Sequence, residues 1–374
     1  MFSVSCNSSS IESKENTSAK IIDFKTFNQD VKSISDVVGN IQIFKSNPSN
    51  TVNISLIRKI LTKGDKIFLV QYGRGRDEVY CFNFNGDLIY TINGIGEGPL
   101  EYREIEDVYF DISQQYLVLL DRPTRKRIYF KLDGEPVKED YNLRSIYLDE
   151  THALGDLYYS MNGLASPGNQ RLLVTDEDGQ IVSSHMNHDP VLDDVQFAGD
   201  NRISRKNDQQ INFTSGRREV IYAYDLDSGI VKEDYQINFD NKMVLEENMP
   251  LIETINLMVD NPTHRFLPSN IYQNPVYLKF TFIENYQFQQ AFVNKNTLDL
   301  VLPERLENDL FNSEIDQVMG VTEEGKFIVR IKPDETLLEK GLFVDAALNE
   351  QFGTRAEDIS DPEDPILVVF DLKF

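Results

Sequence analysis

The sequence contains no tryptophan, four histidines and two cysteines, and each scarcity closes a class of explanation. Two cysteines, Cys6 and Cys81, cannot build a disulfide framework or a Cys-x-x-Cys metal site. Cys81 stands in the apolar stretch Val79-Tyr80-Cys81-Phe82, where a buried free thiol is expected. Four histidines leave little imidazole for general-base chemistry, and no Gly-x-Ser-x-Gly nucleophile elbow occurs. Positive charge is also short, since 37 Lys and Arg stand against 61 Asp and Glu for a formal charge of −24. A field of that sign repels a phosphate backbone, which argues against nucleic acid as a partner. No apolar run approaches the roughly 20 residues that cross a bilayer, so membrane attachment is expected only through a lipid.

What is present is material for a large core: 40% hydrophobic residues, with 23 Phe and 17 Tyr among 374 residues. That length is great for one ordinary domain, but a radially repeated sheet absorbs it without splitting. One unit recurs, an apolar strand followed by a short Asp/Asn/Gly turn and another apolar strand. The turns are Asn85-Gly86-Asp87, Asp133-Gly134-Glu135, Asp176 to Gln180 and Asp225 to Gly229. Their glycines, at 86, 134, 179 and 229, lie 48, 45 and 50 residues apart, a period that suits a four-stranded propeller blade. A fifth unit, Ala291 to Thr297, arrives late because a segment around Asp240 to Asn270 is inserted. A sixth starts at Ile366 and stops at Phe374, before its turn and last strand.

An unpaired blade edge must be completed, and only the N-terminal segment is spare. The expected fold is therefore all-β, a six-bladed β-propeller of four-stranded blades whose ring is closed by an N-terminal strand. Ile41 to Lys45 is the candidate for that outer strand, with Ile21 to Phe24 as an extra piece on an edge. In the first blade the strands are expected at 56–61, 67–72, 79–84 and 88–92. Helix is expected only over Glu335 to Phe352, where Leu337, Leu338, Leu342, Phe343 and Ala346 fall at helical spacing and Gly341 interrupts them.

The stretch Gly94-Ile95-Gly96-Glu97-Gly98-Pro99-Leu100-Glu101-Tyr102 resembles the Gly-x-Gly-x-Gly-Pro-x-Glu-Tyr turn of six-bladed β-propeller lipoproteins of Bacteroides-type bacteria, relatives of NHL-repeat propellers. Asp121-Arg122 with Arg127 to Phe130 is similar to the NHL repeat core, and Asp361 to Leu367 to the family's closing segment. The resemblance implies the fold and a place in the Gram-negative cell envelope, periplasmic or surface-exposed, and brings no defined activity. At the start, Met1 to Cys6 followed by Asn7-Ser8-Ser9-Ser10 resembles the end of a bacterial lipoprotein signal, with Cys6 the lipidated residue. The basic head and longer apolar segment of such a signal do not precede it, which points to a start assigned too far downstream or a trimmed chain. Residues 1–20 are expected to be this lipoprotein-like tether and 21–374 the single propeller domain.

The glycine turn is not a dinucleotide fingerprint, because Pro99 and Tyr102 to Phe110 lead into a strand where the fingerprint needs a helix. Gly94, Gly96 and Gly98 are expected to supply positive φ for the step between blades, with Pro99, Glu101 and Tyr102 completing the motif and Glu101 close to the channel mouth. His185 and His188 beside Asp189 form a His-x-x-His pair that reads as two solvated side chains, since this spacing does not converge on a strand. No metal site and no cofactor are expected. Charge sorts by loop: Arg74, Arg76, Arg122, Arg125, Arg127, Arg171, Arg217 and Arg218 fall in the expected loops between second and third strands (B–C), and aspartates in the turns between third and fourth (C–D). Such asymmetry is the default of surface composition. Read functionally, it is a cationic rim that engages an anionic glycan or peptide through guanidinium forks. The resulting expectation is a non-catalytic envelope binding or scaffold protein with a protein, peptide or glycan ligand. The alternative, by fold analogy, is a hydrolase or lyase with a divalent metal in the central channel.

Overall fold

The computed structural model describes residues 19–27, 30–47, 52–71, 77–141, 148–154, 157–162, 170–187, 201–215, 218–243, 249, 251–331, 333–359 and 365–374. Two strands lead the chain, β1 (Lys20–Asp23) and β2 (Val38–Lys45). Blade 1 follows as β3 (Ile57–Lys63), β4 (Lys66–Gln71), β5 (Glu78–Asn83) and β6 (Leu88–Ile92). Blade 2 is β7 (Asp107–Phe110), β8 (Tyr116–Asp121), β9 (Lys126–Lys131) and β10 (Pro136–Tyr141). Blade 3 is β11 (Leu148–Leu154), β12 (Leu157–Asn162), β13 (Gln170–Thr175) and β14 (Ile181–Asn187). Blade 4 is β15 (Ile203–Arg205), β16 (Gln210–Thr214), β17 (Val220–Asp225) and β18 (Ile230–Asn238). Blade 5 is β19 (Phe266–Gln273), β20 (Tyr277–Glu284), β21 (Gln287–Asn294) and β22 (Leu300–Val301). Blade 6 combines β23 (Ile315–Val321), β24 (Phe327–Ile331) and β25 (Ile366–Leu372) with β2 as its outer strand. The six sheets form a ring, a six-bladed β-propeller.

Sequence explains the layering. Second strands such as Ile67-Phe68-Leu69-Val70 are buried without alternation, because neighbouring blades cover both of their faces. Outer strands such as β10, Pro-Val-Lys-Glu-Asp-Tyr, are largely exposed. Each large apolar side chain taken fully from water in the seams contributes about 2 kcal/mol.

The N-terminal segment straps four blades together. β1 lies parallel to β18 on blade 4, and Phe27 bridges to Leu300 on blade 5. Ile34 N donates to Glu307 O at 2.9 Å, and β2 then pairs antiparallel with β25. Asn47 finally reaches blade 1, donating to Gly86 O at 2.7 Å and accepting from Leu88 N at 2.9 Å. The expected closure at 41–45 is therefore present and longer, and the extra edge piece sits on blade 4.

Four helices are described: α1 (Ile34–Val37), α2 (Leu251–Asp260), α3 (Glu335–Lys340) and α4 (Ala346–Phe352). The single helix expected over 335–352 is corrected to two. Gly341, at φ +85°, ends α3, and a Cβ there would stand 2.6 Å from Thr354 O. Leu337, Leu342 and Phe343 still bury together. α2 was not anticipated within the blade 4 to blade 5 insertion, although Pro250 precedes an apolar periodic run in the sequence.

Candidate functional site

The glycine turn is a structural staple. Tyr102 is fully buried, and its hydroxyl donates towards Asp77 O (2.6 Å) and Ile92 O (3.2 Å), tying the turn to blade 1. Gly96 N donates to Tyr102 O and Tyr102 N to Gly94 O, at 2.8 and 3.0 Å. The expectation of positive φ at the glycines is corrected, because in this turn only Leu100 adopts it, at +60°. The glycines answer a different need. A Cβ on Gly96 or Gly98 would lie 2.0 or 2.9 Å from Glu101 Oε2, the atom that accepts from Gly98 N at 2.7 Å. Glu101 is also not at the channel mouth. Its turn lies over the outer half of blade 2, where Lys126 Nζ reaches Gly98 O and Glu139 holds Leu100 N.

The arginines fall in different environments. Arg127 is 5% exposed on β9, and its guanidinium grips both oxygens of Asp140 at 2.7 and 3.0 Å and Glu177 O at 3.2 Å. Register places Arg127 opposite Asp140 on β10, which makes the pair a cross-strand contact joined to blade 3. Arg171 is buried on β13. Arg122 pairs with Glu106, and Arg218 approaches Ser215 at 3.3 to 3.4 Å. Arg125 is exposed in its turn. Arg74, Arg76, Arg217 and Cys6 lie outside the described residues, as do His188 and Asp189. His185 is half-buried on β14 against Tyr224, with Nε2 2.9 Å from Ser183 Oγ, and burial holds its pKa below the ordinary imidazole value. The reading of two solvated histidines is corrected for this one. Cys81 is buried, and burial pushes its thiol up to about 11.

A concave site lies at the A–B end of the central channel, a cavity of about 590 Å³ to which the innermost strands of all six blades contribute. Hydrogen bonds between blades fix its walls. Lys59 Nζ meets Asp107 Oδ1 at 2.7 Å, and Asp107 Oδ2 accepts from Thr151 N at 2.7 Å, joining blades 1, 2 and 3. Gln273 Nε2 donates to Ser204 O and to Asn212 Oδ1, each at 3.1 Å, joining blades 5 and 4. Tyr272 OH donates to Met319 O at 3.1 Å, joining blades 5 and 6. The lining is rich in amides and hydroxyls, with the rings of Tyr109, Phe110 and Tyr272 among them. Its cations are engaged: Lys59 by Asp107, Arg205 by Asp208 and Lys206 by Asp234.

Sequence reasoning missed these channel residues. Their signal was polar residues next to apolar ones on first strands, as at Lys59 and Thr62 or Ser204. A further acidic group, Glu304, lies apart from the mouth. Its carboxylate accepts from Gln290 N at 2.6 Å. Among the described residues no three His, Cys, Asp or Glu side chains gather to hold a metal ion.

Residues 19–371 match the family described as "Domain of unknown function (DUF4934)". No curated protein matches the sequence. A crystal structure from Bacteroides fragilis, described as a "putative exported protein", is similar with a TM-score of 0.77 at 16% identity, over 95% of this chain and 100% of that one. A member of the DUF4221 family from Bacteroides vulgatus is similar with a TM-score of 0.57 at 9% identity, over 90% and 98% of the two chains. At these identities the likeness is one of fold.

Proposed function

This chain belongs to the family described as Domain of unknown function (DUF4934), and we propose that it is an exported, non-catalytic binding protein of the cell envelope that receives a glycan or peptide at the A–B end of its central channel. The carrying observation is the cavity of about 590 Å³ built by all six blades and lined by amides, hydroxyls and rings. Such walls suit a ligand rich in hydroxyls or amides, whose polar groups need partners as they leave water. Proton-transfer chemistry asks for a group poised to exchange its proton. Lys59, Arg205 and Lys206 at this mouth are held by carboxylates, which favours fixed recognition, and His152 is the one imidazole in the lining.

Export and envelope location rest on the description of the Bacteroides fragilis protein and on the lipoprotein-like sequence ending at Cys6. Among the described residues no helix is long and apolar enough to cross a membrane. Anchoring through Cys6 is part of the proposal. A cationic rim on the opposite, B–C end would depend among the described residues chiefly on Arg125, since Arg127 and Arg171 are buried.

The test is a thermal-shift panel of uronic-acid glycans, neutral glycans, peptides, calcium and chelator, since any ligand of the native state raises the midpoint. A stabilising glycan or peptide is expected to lose its effect in Asn207→Trp, which fills the mouth, and to keep it in Arg125→Glu. The reverse pattern would move the site to the B–C end. A calcium shift reversed by chelator, with no response to glycans or peptides, would replace this reading with a channel-metal enzyme.

A further inference from the structure

In the seam between blades 4 and 5 stands a lysine whose ammonium makes no hydrogen bond or ion pair among the described residues. Lys295 opens the turn between β21 and β22 and is 7% exposed. Its backbone is engaged, N donating to Val276 O at 2.8 Å and O accepting from Lys20 Nζ at 3.0 Å. Among the described residues its own Nζ has no hydrogen-bond or ion-pair partner. Buried charges are ordinarily paired, because leaving water without a counter-charge is costly.

The surroundings deepen the imbalance. Lys206 and Lys20 both repel the Lys295 ammonium, and Asp234 is the carboxylate that opposes them. Asp234 is already taken, since Lys206 Nζ grips both of its oxygens at 2.7 and 2.9 Å and Asn212 Nδ2 donates to it at 2.8 Å. Lys206 thus holds the one carboxylate that acts on Lys295, and Lys20 is turned to the Lys295 carbonyl, in a chain whose formal charge is −24. Burial first, and then Lys206, pull the Lys295 ammonium down to about 8. At pH 7 it remains protonated by about ten to one.

We propose that this seam is a binding site for an oxyanion, such as the sulfate or carboxylate group of an acidic glycan, held by the ammonium groups of Lys295 and Lys206 with Lys20 beside them. An oxyanion supplies the missing counter-charge and accepts the hydrogen bonds that the Lys295 ammonium lacks. The proposal goes beyond the channel reading, with which it shares Lys206, and rests on Lys295, which does not line the mouth.

The experiment is thermal denaturation of the full chain in about 10 mM sodium sulfate against chloride at equal ionic strength, a concentration too low for general salting effects. Sulfate is expected to raise the wild-type midpoint by about 2 °C at pH 7. The shift is expected to vanish near pH 9.5, where the Lys295 amine is neutral. It is also expected to vanish in Lys295→Met, which keeps the unbranched stem of the side chain and removes its charge. Lys295→Gln provides the second variant if methionine disturbs the packing. Sodium glucuronate in place of sulfate separates a carboxylate ligand from a sulfate, and a Lys295-dependent response to either supports the site. The proposal is overturned if wild type and variants respond alike, if the shift persists at pH 9.5, or if wild type responds to neither anion.

Discussion

Gly86 stands at φ +92°, and a Cβ on it would lie 1.8 Å from the carbonyl oxygen of Lys45. That oxygen belongs to the end of the closing strand, where Asn47 hydrogen-bonds across to Gly86 and Leu88. Neither backbone can retreat without breaking the step from blade 6 to blade 1. Gly64 has the same sign of φ, +57°, with nothing within 4 Å of its Cβ position. The two glycines separate conformational strain from collision. Gly64→Ala is expected to lower stability by about 1 kcal/mol, the cost of left-handed backbone alone. Gly86→Ala is expected to cost about 3 kcal/mol or more, because overlap with backbone is added. Denaturant melts of both variants measure the difference, and equal losses would mean that the strand crossing is soft. The glycine spacing that revealed the repeat thus also marks a position that only glycine fits. Side-chain roles were less legible. Arg127 looked like a loop cation because the sequence does not show the register that sets it against Asp140.

At the scale of elements, the strap from Lys20 to Asn47 is what makes six sheets a ring. It buries Ile22, Phe24, Ile34, Val37, Val38 and Phe44. At about 2 kcal/mol each, these side chains contribute an amount comparable to the whole stability of a folded domain. Removing residues 1–46 is therefore expected to abolish the cooperative melt, and a retained cooperative transition would refute closure by this strand. Phe44→Ala, which removes a fully buried ring packed edge-on against Phe82 at 5.5 Å, is expected to cost about 4 kcal/mol while leaving the chain folded. Closure was legible because an open sheet edge is costly enough to demand a partner, and the sequence offered one spare strand. Which blade β1 would join was not, since Ile21 to Phe24 carries no pairing code beyond alternation. The channel site was illegible for a related reason. Lys59, Thr151 and Gln273 come from three blades, and only the ring brings them together.

At the scale of the whole molecule, the formal charge of −24 sets two electrostatic effects against each other. A chain of this length has a radius of gyration of about 21 Å. At 10 mM salt the Debye length, about 30 Å, exceeds that radius and lets the excess carboxylates repel one another over much of the molecule. At 0.2 M it falls to about 7 Å, and only neighbours interact. Screening also weakens ion pairs, but the exposed ones, such as Lys131–Glu135 and Arg355–Glu350, are worth about 0 to 1 kcal/mol each. The pair that joins blades 1 and 2, Lys59–Asp107, and the pair within blade 2, Arg127–Asp140, whose arginine also reaches Glu177 O on blade 3, are more buried and feel salt less. Relief of net repulsion should therefore win. The midpoint of thermal unfolding is expected to rise by a few degrees, about 3 °C, between 10 and 200 mM sodium chloride and then to level off. A falling midpoint would mean that surface ion pairs, rather than the seams between blades, hold the ring together.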